Sequence, residues 1–111
     1  MRFAIIFALV LVGSACGGAQ VNILNQSSAP LQDVTVEARG VLAEVKVVEP
    51  KSAQRTSICP KGEAGALQVS FKANGQSYRS EQALYFECNS SYEISVDVSP
   101  SFEVSATVSL K

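Results

Sequence analysis

"ALQVSFKANGQSYR", residues 66–79, is the stretch on which the fold turns. Leu67, Val69 and Phe71 alternate with Gln68, Ser70 and Lys72. In an extended chain successive side chains point to opposite faces, so this run presents one apolar and one polar face, as a half-buried strand does. Asn74-Gly75 follows, and then a second run from Gln76 to Arg79. Asn-Gly between two such runs suits the two-residue type I′ turn, in which both central residues take positive φ. The stretch predicts an antiparallel hairpin.

The same pattern extends outward in both directions. Tyr92, Ile94, Val96 and Val98 alternate with Glu93, Ser95 and Asp97, and Phe102, Val104, Ala106, Val108 and Leu110 form one face of a further run. Shorter β-rich segments lie at Val21–Asn25, Val34–Arg39, Val41–Val48, Arg55–Ile58 and Leu84–Cys88. Pro30, Pro50, Pro60 and Pro100 all fall between runs, where a missing N–H costs no ladder bond. No stretch shows helical periodicity. The expectation is an all-β chain: a single antiparallel two-sheet sandwich of about seven to eight short strands, occupying residues 21–111.

Composition narrows the chemistry. Apolar residues make up 47% and charged residues 17%, a globular rather than a disordered balance. The net charge is −1, with acids and bases interspersed and no basic stripe, which argues against nucleic acid as a partner. The chain has no histidine, so Ser-His-Asp and Cys-His activation and nearly all catalytic zinc arrangements are excluded. The scattered carboxylates Asp33, Glu63, Glu87 and Asp97 show no spacing suited to paired acid–base work. No catalytic residue, metal ligand or cofactor fingerprint emerges, and the expectation is a non-enzymatic protein without a cofactor.

The N-terminus carries a different message. Met1 and Arg2 precede an apolar run from Phe3 to Val12, and Gly13, Ser14 and Ala15 follow before Cys16. This is the layout of a secretory signal peptide over residues 1–15. The run is too short to cross a bilayer, which takes about 20 apolar residues. The segment Val12–Cys16 resembles the lipobox of bacterial lipoproteins, with Gly13 standing where an aliphatic residue is usual. The resemblance implies cleavage before Cys16, acylation of that cysteine as the lipid anchor, and membrane attachment through the N-terminal lipid. Because Gly17 is not aspartate, the sorting rule of enteric bacteria points to the outer membrane in a Gram-negative host. Residues 16–20 then read as anchor and short tether, Gly17 to Gln20 reaching at most about 14 Å. The alternative is ordinary cleavage after Ala19 and a soluble secreted protein.

The segment "NQSSAPLQDVTVEARG", residues 25–40, is similar to the opening of transthyretin-like bacterial surface sandwiches, where a Pro-Leu turn leads into a strand. An immunoglobulin-like architecture is the neighbouring resemblance. The chain departs from true immunoglobulin domains in having no tryptophan and in reading "YFEC" at the corner.

Of three cysteines, Cys59 and Cys88 remain in the domain, and in an oxidising compartment they are expected to form a disulfide. Closing a loop of about 30 residues stabilises the fold by about 3.5 kcal/mol in the chain-entropy model. Candidate partner contacts are the aromatic-rich run holding Tyr78, Arg79, Tyr85 and Phe86, and the charged loop Pro60–Gly65 with Lys61 and Glu63. Tyr85 and Phe86 are adjacent, so one is expected in the core and the other exposed. Asn25-Gln26-Ser27 and Asn89-Ser90-Ser91 match the N-glycosylation pattern, a coincidence in a bacterial lipoprotein. The function expected is a binding or structural accessory module of the cell envelope, with a protein or polysaccharide partner near the membrane. The alternative is a periplasmic or secreted inhibitor or immunity-type protein that blocks a partner enzyme with a loop, foremost Pro60–Gly65, or an edge strand.

Overall fold

A computed structural model describes residues 17–111; the signal-peptide and Cys16 assignments lie outside the described residues. Eight strands form two four-stranded sheets, with no helix among the described residues. They are β1 (Ala19–Asn25), β2 (Leu31–Ala38), β3 (Val41–Val48), β4 (Ser52–Ile58), β5 (Ala64–Ala73), β6 (Gln76–Phe86), β7 (Tyr92–Val98) and β8 (Val104–Leu110). One sheet has the order β4-β1-β7-β8 and the other β3-β2-β5-β6. The two-sheet sandwich expected from the alternation is the fold.

Residues 66–79 form the hairpin they predicted. Ala73 pairs with Gln76, and Asn74 and Gly75 take φ of 52° and 76°, the positive values a type I′ turn demands. Arg39-Gly40, with φ of 51° and 78°, closes the β2–β3 hairpin in the same way. Alternation fills the core. Val21 and Ile23 come from β1, Val34 and Val36 from β2, Leu67, Val69 and Phe71 from β5, and Ile94, Val96 and Val98 from β7. β1, β2, β5 and β7 are the inner strands of their sheets, so they contribute most of the fully buried side chains.

Three features depart from the sequence expectation. The sandwich is not wholly antiparallel, because β1 lies parallel to β7, with Gln20 beside Glu93 and Asn25 beside Val98. Parallel neighbours need a long crossover, and the whole of β2–β6 supplies it. The domain also begins before residue 21. Ala19 is fully buried and pairs with Ile58, so β1 takes up Ala19 and Gln20 from the expected tether. Gly18 lies so close to Ile58 that a Cβ there would stand 3.2 Å from its carbonyl oxygen. Finally, β2 is bulged. Gln32 pairs with Lys72 but Thr35 with Ser70, and Asp33 in between takes φ of 51°. The extra residue lets Leu31 and Val34, three apart, both face the core.

At the end of β1 the sequon asparagine has a structural role. Asn25 is fully buried, and its Nδ2 donates to the carbonyls of Ala29 (2.8 Å), Val48 (3.0 Å) and Glu49 (3.3 Å). Its Oδ1 accepts from the Ser27 backbone N–H at 2.9 Å. The side chain thus ties the β1–β2 connection to the end of β3, and its amide is inaccessible to modification in the folded domain.

Candidate functional site

The two ends of the sandwich differ, and topology assigns the candidate residues between them. The chain enters at one end with Ala19. The β4–β5 and β6–β7 connections and Leu110 of β8 lie at that same end, since Ala19 pairs with Ile58 and Tyr92 with Leu110. The Asn74-Gly75 turn and the Ser99–Glu103 connection lie at the far end. Along β6, Tyr78 and Tyr85 are seven residues apart, about 24 Å in an extended strand. The sequence candidates therefore belong to two places.

At the far end, Tyr78 and Arg79 border an open cleft of about 300 Å³ between the edge strands β6 and β8. Ser80, Phe102, Glu103 and Val104 complete its lining. Tyr78 faces inward on β6 and stacks on Phe71, ring centroids 5.1 Å apart and planes 18° apart. Phe102 lies at 5.1 Å from Tyr78 and 6.4 Å from Phe71, completing an aromatic cluster. Arg79 faces outward and donates from a terminal guanidinium nitrogen to Oε1 of Gln68 at 2.9 Å. An aromatic floor with Arg79 and Glu103 at its rim can take a flat apolar group and bind polar substituents around it.

Phe102 is the residue that sequence reasoning misplaced. Its alternation with Val104 assigns it to the strand, yet β8 begins at Val104 and Phe102 takes φ of 66°, in the left-handed region that bulky side chains rarely enter. Ser99 holds the connection in place. Its backbone carbonyl accepts from Phe102 N–H (2.9 Å), its N–H donates to the Glu103 carbonyl (2.8 Å), and its Oγ accepts from the N–H groups of Ser101 (3.2 Å) and Glu103 (3.0 Å). The backbone cost is met by placing the ring over Tyr78. Pro100 marked a break between runs here, but the one signal of the turn's extent, a serine four residues before a glutamate, is too common to be diagnostic.

At the chain-entry end, Cys59 and Cys88 are joined in the expected disulfide, which ties the end of β4 in one sheet to the end of β6 in the other. Tyr85 is 45% exposed and Phe86 is fully buried. Of the two candidate contacts, Phe86 is thus inaccessible to a partner: it shares the inward face of β6 with Tyr78, Gln82 and Leu84. The Tyr85 hydroxyl donates to the Glu87 carboxylate, which raises the phenol's pKa; burial and the nearby Glu63 charge push the same way. Lys61 and Glu63 are exposed, in a loop bracketed by buried Pro60 and Ala64. Among the described residues no group of three or more Cys, Asp or Glu side chains is placed to hold a metal ion.

Outside the cleft, the outer face of the β4-β1-β7-β8 sheet carries one ordered polar cluster. Asn22 donates to Glu93 at 2.9 Å and accepts from Arg55 Nε at 2.8 Å, while Arg55 also pairs with Glu93 at 3.2 Å. The hydrogen bond from Asn22 holds the Glu93 carboxyl below its ordinary pKa, helped by the charges of Lys111 and Arg55.

No family model matches the chain, and no curated protein matches it. Among solved structures it is similar to an NMR structure of a protein from Eubacterium rectale. The TM-score is 0.59 at 10% identity, over 90% of this chain and 96% of the other. At that identity the likeness concerns the fold alone.

Proposed function

We propose that this chain is an exported, non-enzymatic lipoprotein of the bacterial cell envelope, anchored through Cys16 in the outer membrane of a Gram-negative host. Its sandwich serves as a binding module for a protein or polysaccharide partner. The observation that carries the binding role is the Tyr78–Phe102 cleft, where a strained backbone is maintained to present an aromatic ring at a sheet edge. It lies at the end of the sandwich away from the entering chain, so an anchor on Cys16 leaves it facing outward.

One further observation favours the anchor over cleavage after Ala19, and another favours export by either route. A cut after Ala19 removes a fully buried residue and the last pair of the β1–β4 ladder, whereas a cut before Cys16 leaves β1 whole. The disulfide suits an oxidising compartment. The loop of the inhibitor alternative, Pro60–Gly65, lies at the chain-entry end, which an anchor on Cys16 turns toward the membrane.

The test has two parts. Intact mass of the mature protein from its envelope is expected to show an acylated Cys16 and a gain of two hydrogens on reduction; an unacylated chain beginning at Gln20 overturns the anchor. A photo-crosslinking residue placed at Tyr78 is expected to give a stoichiometric adduct in the living envelope, and one at Ser57 is not. Equal labelling from both positions, or none from either, overturns the cleft as the recognition site.

A further inference from the structure

We infer that the chain-entry end of the sandwich rests on the lipid surface itself, through a patch formed by Tyr85, Tyr92 and Leu110; this rests on the lipid anchor proposed above. The patch is contiguous. Tyr92 pairs with Leu110 across β7 and β8, and the Tyr85 and Tyr92 rings meet edge-on with centroids 6.2 Å apart. Leu110 is 68% exposed and Tyr85 is 45% exposed, two of the three large apolar side chains that stand out from the surface among the described residues. The third, Leu42, lies beside the Arg39-Gly40 turn at the same end. No such side chain is exposed at the far end among the described residues.

The occupant follows from where the chain enters. Parallel pairing of β1 with β7 sets Gln20 beside Glu93, which places Ala19 beside Tyr92. Cys16 is three residues before Ala19, and three peptide units span at most about 11 Å. Because Ala19 belongs to β1 and Gly18 packs on Ile58, no slack remains beyond Gly17 to hold the domain off the membrane. Acyl chains on Cys16 therefore bring the Tyr85–Tyr92–Leu110 corner to headgroup depth. Tyrosine suits that depth, with an apolar ring and a polar tip; the Tyr85 hydroxyl already has a partner in Glu87.

The charges at this end are mixed, with Lys61 and Lys111 against Glu63 and Glu87. Contact is thus carried by apolar burial rather than by attraction to anionic lipid, and it is expected to survive high salt. The same geometry aims the Tyr78–Phe102 cleft away from the bilayer.

The chain has no tryptophan, which allows a direct test. Full-length Leu110→Trp, Tyr85→Trp and Ser101→Trp variants are expressed with their leader, checked for acylation by mass, and placed in phosphatidylethanolamine–phosphatidylglycerol vesicles containing bromine-labelled lipid. Residues lying about 5–10 Å into the interface are expected to lose about half or more of their emission, so Leu110→Trp and Tyr85→Trp are quenched and Ser101→Trp is not. Acylated protein in which neither patch reporter is quenched, or in which Ser101→Trp is quenched as strongly, overturns the inference and leaves the anchor standing. Absence of the acyl group overturns the anchor reading and the inference with it. Two reporters on one patch keep the test decisive if either substitution disturbs folding.

Discussion

Replacing Asn25 with alanine tests the least obvious support of the fold. The Asn25 side chain is fully buried, and its amide supplies donors to three carbonyls, of which those of Ala29 and Val48 belong to buried residues. A buried acceptor deprived of its donor costs about 1–3 kcal/mol. The Ala29 carbonyl keeps the Ser27 hydroxyl within 2.9 Å, so part of the loss is recovered. The sum is a destabilisation of about 2–4 kcal/mol, a large share of a domain stability of about 5–15 kcal/mol. With a urea slope of about 1–1.5 kcal/mol per M, the unfolding midpoint falls by about 1.3–4 M at unchanged slope. Far-UV circular dichroism in urea measures it.

Asn25→Asp sharpens the argument. A carboxylate cannot donate, and it sets a charge against three carbonyl oxygens in a buried site. Burial and those dipoles raise its folded pKa above the unfolded value of about 4. Its penalty is therefore smallest below that pH, grows as pH rises, and is complete above the raised folded value. An alanine variant costing less than about 1 kcal/mol, or an aspartate variant whose penalty ignores pH, would refute the claim that amide donation holds the β1–β2 connection to β3.

Removing the disulfide with Cys59→Ala/Cys88→Ala is expected to cost about 3.5 kcal/mol, read as the difference between urea curves of variant and oxidised protein; a cost under about 1 kcal/mol would contradict the loop-closure account. Phe102→Gly relieves the positive φ while losing the contacts to Tyr78 and Phe71, whereas Phe102→Ala loses the contacts and keeps the strain. The alanine variant is therefore expected to be less stable than the glycine variant by about 1 kcal/mol in thermal melts, and the reverse order would show that the backbone there is unstrained. Glu93 has a lowered folded pKa, so its stabilising contribution is present above the unfolded value of about 4 and is lost as pH falls through the lowered folded value. Glu93→Gln removes that acid-side loss, and a stability profile below pH 4 as steep as the unsubstituted protein's would count against the Asn22–Arg55–Glu93 cluster.

Much of this protein is local, and so could be read along the chain. Period-two alternation in Leu67–Phe71 and Tyr92–Val98, Asn-Gly between runs, and prolines outside them each depend only on neighbours two to four residues away. They sufficed for the sandwich and for the Asn74-Gly75 hairpin. Two cysteines behind a segment that reads as an export signal sufficed to expect their pairing, and the structure joins them. What the sequence could not show is what depends on pairing across the chain. The parallel neighbourhood of β1 and β7 joins residues some seventy positions apart, as Asn22 and Glu93 illustrate. It alone places Tyr92 beside Ala19. Adjacency required Tyr85 and Phe86 to face opposite ways, but only the register of β6 on β5 decided that Phe86 is inside. The role of Asn25 was hidden for the same reason, since two of its three carbonyl partners, Val48 at the end of β3 and Glu49 just beyond it, lie 23 and 24 residues along the chain. Local sequence sets which face of each strand is apolar; the packing of one sheet on the other decides which polar side chains are buried and which exposed rings come together.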